Sequence, residues 1–128
     1  MRGLNKELFF EFWEECNKMN YCIIVEGKRD KSVLKKVGFR NLLAINGKSL
    51  KEIAKQIKGE VVILTDFDKE GKEKARKLKK YLVKLGIRVN DRLRKKFAES
   101  CRIRKIEEFK RYLKEVLPLL KFYKSVRF

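Results

Sequence analysis

Aspartate is scarce in this chain. Of 128 residues only Asp30, Asp66, Asp68 and Asp91 carry that side chain, and two of them form a D-x-D pair directly after the apolar run VVILT. Glu26 ends another apolar run, CIIV. If these runs are neighbouring parallel strands, Glu26, Asp66 and Asp68 meet at one edge of a sheet. Three carboxylates there repel one another, and a hard divalent cation resolves the repulsion. Mg2+ takes one or two carboxylates, keeps several waters and shares its other positions with substrate phosphates. Asp66 and Asp68 can both reach one cation if the chain has left the regular pleat by Asp68, and Gly71 then lets the backbone turn into a helix. The same pair serves equally well as a turn and N-cap for a helix beginning at Lys69, where aspartate is favoured. Histidine is absent. That removes His-based triads, His general bases and zinc sites with a His ligand. Acid–base chemistry is left to carboxylates, Lys, Tyr, Cys or metal-bound water.

Lys and Arg number 35 against 17 Asp and Glu, a formal net charge of +18. Such an excess calls for a polyanionic partner, nucleic acid before membrane surface. Lys28, Arg29, Lys48 and Lys69 flank the turns after the apolar runs, where they can hold substrate phosphates. The basic runs at 92–96 (Arg92, Arg94 and Lys95 among them) and 102–105, with the Lys-rich segment 69–85, can follow a nucleic-acid backbone, with binding that weakens steeply in salt. Each of these bases alone is ordinarily a solvated charge. The tail at 121–128 mixes bases and aromatics, which dock on the core or stack on unpaired bases. Cys16, Cys22 and Cys101 follow no C-x-x-C spacing, which predicts buried thiols in a reducing cytoplasm. No apolar run is long enough to span a bilayer, so no membrane partner is expected.

Short apolar runs alternate with amphipathic helical segments. The pattern predicts an α/β fold with a mainly parallel sheet of about four to five strands flanked by helices. Strands are expected at 21–25, 41–45, 60–65, 87–89 and 102–106. Helices are expected at 4–19, 30–37, 49–57, 69–85, 91–99 and 107–117, the last ended or kinked by Pro118. Gly27, Gly47 and Gly71 mark the turns, and Asp30 starts a helix. The expected division is an N-terminal helix at 1–20 packed on a domain at 21–106, then a C-terminal helix and basic-aromatic tail at 107–128. Gly47-Lys48-Ser49 has the tail of a phosphate-binding P-loop, but Leu42 stands where that loop needs glycine. It reads instead as a turn followed by a helix with a Ser49/Glu52 capping box. In parallel sheets ligands bind outside the carboxyl ends of the strands. That rule selects Glu26-Gly27, Asn46-Gly47 and Asp66-Phe67-Asp68.

At these positions the chain resembles a family. Val25-Glu26-Gly27-Lys28-Arg29-Asp30 is similar to the V-E-G-x-x-D motif of the Toprim domain, and Leu64-Thr65-Asp66-Phe67-Asp68-Lys69-Glu70-Gly71 to its D-x-D-x-x-G motif. Toprim is the Rossmann-like catalytic domain of type IA and type II topoisomerases, DnaG-type primases, RecR-type repair proteins and the ribonuclease that matures 5S ribosomal RNA. The resemblance implies Glu26 as general acid or base with a share in metal binding. It implies Asp66 and Asp68 as ligands of Mg2+, with Mn2+ as its substitute, and Glu70 as a helper. Nothing resembles the tyrosine-bearing domain of a topoisomerase or the zinc module of a primase. The expected function is Mg2+-dependent phosphodiester chemistry on nucleic acid, cleavage first. The similarity of VVILTDFDKEG to the 5S maturation nuclease puts RNA slightly ahead of DNA. The alternatives are primase-like nucleotidyl transfer and a non-catalytic module that binds nucleic acid or a protein partner, a second copy included. Glu26 can move a proton if burial and acidic neighbours raise its pKa.

Overall fold

The computed structural model describes residues 3–127, with side chains described up to residue 122. The base and aromatic side chains expected at 123–128 lie outside the described residues. The element order is α1 (Lys6–Met19), β1 (Cys22–Val25), α2 (Lys28–Lys36), β2 (Leu42–Ala44), α3 (Leu50–Gln56), β3 (Val61–Ile63), α4 (Lys69–Lys84), α5 (Asp91–Cys101), a 3₁₀ helix (Ile106–Tyr112) and α6 (Leu113–Arg127).

The strands CIIV, LLA and VVI are apolar at every position because both of their faces are covered. They form a parallel sheet in the order β2-β1-β3, with Ile24 opposite both Leu43 and Ile63. Side chains alternate between two cores. Ile23, Val25, Ala44, Val62 and Leu64 face Phe9, Phe12 and Trp13 of α1, Leu34 of α2, Phe97 of α5 and Phe109 of the 3₁₀ helix. Cys22, Ile24, Leu43, Val61 and Ile63 face Ile53 of α3 and Ala75, Leu78 and Leu82 of α4. This period of two sets the register, because a slip of one residue would exchange the cores.

Among the described residues the sheet has three strands rather than four or five. Of residues 87–89, only Val89 makes a single parallel bridge, to Val61. The expected strand at 102–106 is not formed. Arg102, at φ 50°, ends α5, and one bond from the Phe67 amide to the Arg104 carbonyl (2.6 Å) precedes the 3₁₀ helix. No fifth strand is needed, because a side chain takes its place. Arg94 Nη1 donates to the carbonyls of Ile63 (3.0 Å) and Thr65 (2.9 Å), and Nη2 donates to that of Asp66 (3.1 Å). Alternate carbonyls of an edge strand point the same way, and the planar fork of the guanidinium fits them. Pro118 does not end the last helix either. It sits inside α6, exposed, and so is Lys114, whose carbonyl it cannot bond and water can.

Arg94→Ala is expected to cost about 2 kcal/mol, since it leaves edge carbonyls unpaired. Arg94→Lys should recover little, because an ammonium lacks the fork. Urea unfolding of the two variants measures both effects.

Candidate functional site

The carboxyl ends of the three strands converge on Glu26. Its side-chain Oε2 accepts from the Asp66 amide at 2.8 Å, and its own carbonyl accepts from the Asn46 amide at 2.9 Å. The last backbone rung on the β3 side is Leu64 N–H to the Ile24 carbonyl at 2.7 Å. The glutamate side chain therefore continues the ladder where the backbone no longer can, and it links residues 40 apart in sequence.

The D-F-D segment is held from three sides. Phe67 turns into the core, 6.1 Å from the Phe97 ring, and the Arg94 guanidinium stands 4.6 Å over it. Asp66 and Asp68 are each tied by one backbone amide. Asp66 Oδ1 accepts from the Ile106 amide, and Asp68 Oδ1 caps α4 by accepting from the Gly71 amide, both at 2.8 Å. The helix-cap role open to the aspartates is thus realised at Asp68, and its bond uses one oxygen. Behind them, Thr65 Oγ1 donates to the Gly71 carbonyl at 2.7 Å, which fixes the start of α4 to the end of β3.

The structure adds Lys74 to these residues. One turn into α4, its Nζ lies 2.8 Å from Glu26 Oε1 and 3.2 Å from Glu70 Oε1. Glu70, whose side chain is 79% exposed, is tied to Glu26 through this lysine. The electrostatics follow. Burial pushes the Glu26 carboxyl up, but hydrogen bonds from Lys74 and the Asp66 amide outweigh it and hold the pKa below the ordinary value. The condition set for proton transfer by Glu26, a pKa raised by burial and acidic neighbours, is therefore not met, because a cation stands 2.8 Å away. Asp66 is shifted upward, by burial first and then by Glu26 and Asp68, against the Ile106 amide.

The largest carboxylate shift in the cluster belongs to Asp30. Burial, then the charge of Asp66, with Glu26 and Glu107 contributing, pushes it up to about 6. Its Oδ2 accepts from the Gly27 amide at 3.1 Å, the helix-start role expected for it, but its crowding against strand-end carboxylates is legible only in three dimensions. Carboxylates crowded this way are common at functional sites.

The unfolded chain ionises this group near 3.8, the folded chain near 6. Between those values the folded form binds the extra proton, so stability falls as pH rises through the window, and the cost persists at neutral pH. Asp30→Asn keeps an acceptor for Gly27 and removes the charge. After discounting for solvent screening, it is expected to stabilise by about 1 kcal/mol at pH 7 and to lose that gain as pH approaches 4. Melting curves across this range measure it.

Glu26, Asp30 and Asp66 line an open depression of about 350 Å³ with Lys28, Arg29 and Lys105 on its rim. Lys48 and Lys69 stand at the starts of α3 and α4 and do not line it. A wider groove of about 580 Å³ opens at the amino end of β3 around Glu60, Val89 and Asn90. There Asn90 already donates to Glu60 at 2.9 Å, and no strand-end carboxylates meet. The strand-end carboxylates meet at the smaller depression.

Of the other bases expected to touch nucleic acid, Arg94 points inward to the β3 edge, Arg92 is paired with Glu15, and Lys95 is exposed and without an ion pair among the described residues. The thiols of Cys16, Cys22 and Cys101 are free and buried. Burial pushes them up to about 12, 11 and 11, so none is a nucleophile near neutrality.

Comparison with known proteins agrees with this architecture. A family model described as the Toprim domain matches residues 20–91, and the chain belongs to the Toprim domain family. Its metal-dependent, nucleic-acid-related function at the family level follows. The chain is similar to a UPF0292 protein of Thermococcus onnurineus, 37% identical over 91% of this chain and 92% of that one. A UPF0292 protein of Thermococcus gammatolerans is 35% identical over 84% and 85%. A solved structure of a protein from Aquifex aeolicus superposes with a TM-score of 0.70 at 29% identity, covering 80% of this chain and 95% of the other. Among the described residues no helix is long and apolar enough to cross a membrane.

Toprim domains generally bind Mg2+. Among the described residues, no three His, Cys, Asp or Glu side chains stand together as a cage. Mg2+ does not need one, since it is held through one or two carboxylates and keeps its waters. Asp66 and Asp68 bond to amides through Oδ1 alone, so the donor chemistry fits the ion.

Proposed function

We propose that this chain cleaves nucleic-acid phosphodiesters in a Mg2+-dependent reaction, RNA before DNA. The observation that carries the reading is the bond from the Asp66 amide to the Glu26 carboxylate, which draws the two motifs into one acidic edge beside the exposed bases Lys28 and Arg29. Asp66 and Asp68 would hold the ion through Oδ2, with Glu70 joining once it leaves Lys74. When bound, the ion supplies charge neutralisation at the phosphoryl oxygens and acidifies a water. The chain's own residues do the rest. Glu26, kept ionised by Lys74 and the Asp66 amide, accepts the proton of the attacking water by virtue of that ionised form rather than of a raised pKa. Lys74 fixes its position. Lys28 and Arg29 hold the phosphate that flanks the reacting one, and Lys48 and Lys69 continue that contact outward. Position and electrostatics account for most of such catalysis. The preference for RNA is supported by the similarity of VVILTDFDKEG to the 5S maturation nuclease.

One observation favours a second reading. Lys74 already neutralises Glu26, as suits a Toprim module that binds nucleic acid without turning it over. A panel of labelled single-stranded, duplex and folded RNAs and DNAs, incubated with Mg2+, Mn2+ or EDTA, separates the two. Cleavage that needs the metal and falls at least about a hundredfold in Glu26→Gln supports the nuclease. Binding without turnover on every substrate supports the module. Cleavage indifferent to EDTA contradicts the proposed mechanism.

A further inference from the structure

Positive charge is dense on both faces of the sheet, but it is arranged differently on each. On the face covered by α1, α2, α5 and the 3₁₀ helix, acids of the same layer absorb some of the bases, while Lys31, Lys35 and Lys36 of α2 are exposed and outside any ion pair among the described residues. Arg92 pairs with Glu15, Lys96 with Glu11, Lys6 with Glu115 and Arg111 with Glu108. The opposite face, built by α3 and α4 over the Ile53–Leu78 core, carries Lys51, Lys55, Lys72, Lys77, Lys80 and Lys84. All six are exposed and outside any ion pair among the described residues, whereas Lys74, Arg76 and Lys79 of α4 are paired with Glu26 and Glu70, with Glu73 and with Asp91.

Their arrangement is directional. On α4 the buried stripe is Gly71, Ala75, Leu78 and Leu82. At 100° per residue, Lys69, Lys77, Lys80 and Lys84 fall on the outward side of the helix, and the one acid among them, Glu73, is neutralised by Arg76. The α4 row spans about 22 Å at 1.5 Å per residue, the length of roughly six or seven stacked base pairs. It begins next to Asp68, at the acidic edge, and α3 begins at that same edge beside the Asn46-Gly47 turn. Aromatic groups do not share the surface: Tyr81, the one aromatic residue of α3 and α4, is half-buried against the core. Proteins that hold single strands rely on exposed rings for base stacking. A rigid row of ammonium groups without rings matches the dense phosphate charge of a double helix.

We infer that the α3–α4 face is the track along which a nucleic-acid duplex, or the double-helical stem of a folded RNA, lies, held by its backbone and delivered to the acidic edge at the start of α4. This rests on the proposed action on nucleic acid and adds the form of the substrate and its path.

The test compares binding by fluorescence anisotropy of a labelled RNA duplex, the matching DNA duplex and each single strand as NaCl is raised. Three proteins are used beside the wild type: Lys77→Gln/Lys80→Gln/Lys84→Gln, the same three positions changed to Arg, and a control triple Lys18→Gln/Lys110→Gln/Lys114→Gln on the other face. The α4 Gln triple is expected to lose about thirtyfold or more in duplex affinity near physiological salt, with the slope of log affinity against log salt shallower by about 3. The Arg triple and the control triple should bind like wild type. Equal losses in the two Gln triples, or a larger one in the control, would overturn the track and leave the proposed function standing. So would wild-type affinity for single strands equal to that for duplex. Failure of the wild type to bind any of the probes, with anionic vesicles binding instead, would overturn both.

Discussion

Replacing Asp68 with asparagine is expected to lower Mg2+-dependent cleavage by about a thousandfold or more, with little change in stability. Asparagine is as good an N-cap as aspartate, so the bond from the Gly71 amide, 2.8 Å in the native chain, survives the change. What disappears is one of the two negative oxygen donors proposed for the ion. A thousandfold in rate corresponds to about 4 kcal/mol of transition-state stabilisation, within the several kcal/mol that a correctly held metal ion supplies. Asp66→Asn should act similarly, since an amide oxygen still accepts from Ile106. Single-turnover rates at saturating Mg2+ measure both. A rate within about tenfold of wild type would remove Asp68 from the reaction.

The second large effect falls on stability. A Cβ at Gly71 would stand 2.1 Å from the Asp66 carbonyl oxygen, 2.5 Å from its carbon and 2.8 Å from the Asp66 Cα. All three are backbone atoms, so no side chain can swing away. Either the D-F-D turn or the first turn of α4 must move, and with it the Thr65–Gly71 bond. Gly71→Ala is expected to cost about 3 kcal/mol or more and to lower the melting temperature by roughly 10 °C. Gly27, the glycine of the other motif, is the control. A Cβ there meets nothing within 4 Å, so Gly27→Ala should cost no more than about 1 kcal/mol, the loss of a glycine N-cap at the start of α2. Differential scanning calorimetry of the pair decides it. Equal melting points would mean that the close packing of α4 on the turn is not what the motif glycine provides.

The sequence made the convergence of the two motifs legible because parallel strands in a βαβ arrangement place their carboxyl ends together. Glu26 and Asp66 each follow an apolar run, and that pattern alone predicts a shared edge. The three central strands and the first five helices were readable for the same reason: periods of two and of 3.6 are visible in the order of residues. Residues 87–89 and 102–106 misled because short runs with β-branched residues look like strands wherever they occur. Ile103 and Ile106 are buried, but burial of their side chains does not require backbone pairing, and the edge they would have joined is bonded to Arg94.

Arg94 itself could not be told from its basic neighbours by composition. Its role depends on α5 lying against β3, a tertiary fact. Lys74 was hidden in the same way, as one lysine among a large surplus. The readable trace is local: it stands four residues after Glu70 and three after Gly71, on the turn of α4 nearest the strand ends. The pKa of Glu26 lies below its ordinary value because hydrogen bonds from that lysine and the Asp66 amide outweigh burial, so the condition of a raised value is not met.

The central claim is that Asp66 and Asp68 together hold a divalent ion. It is tested most directly by titrating the protein with Mn2+ in place of Mg2+ and following free ion by electron paramagnetic resonance, with wild type beside the Asp66→Asn/Asp68→Asn double variant. Saturable binding in the wild type that is competed by Mg2+ and lost in the double variant is the predicted result. Binding that persists unchanged in the double variant, or a wild type that takes up no ion, would contradict it.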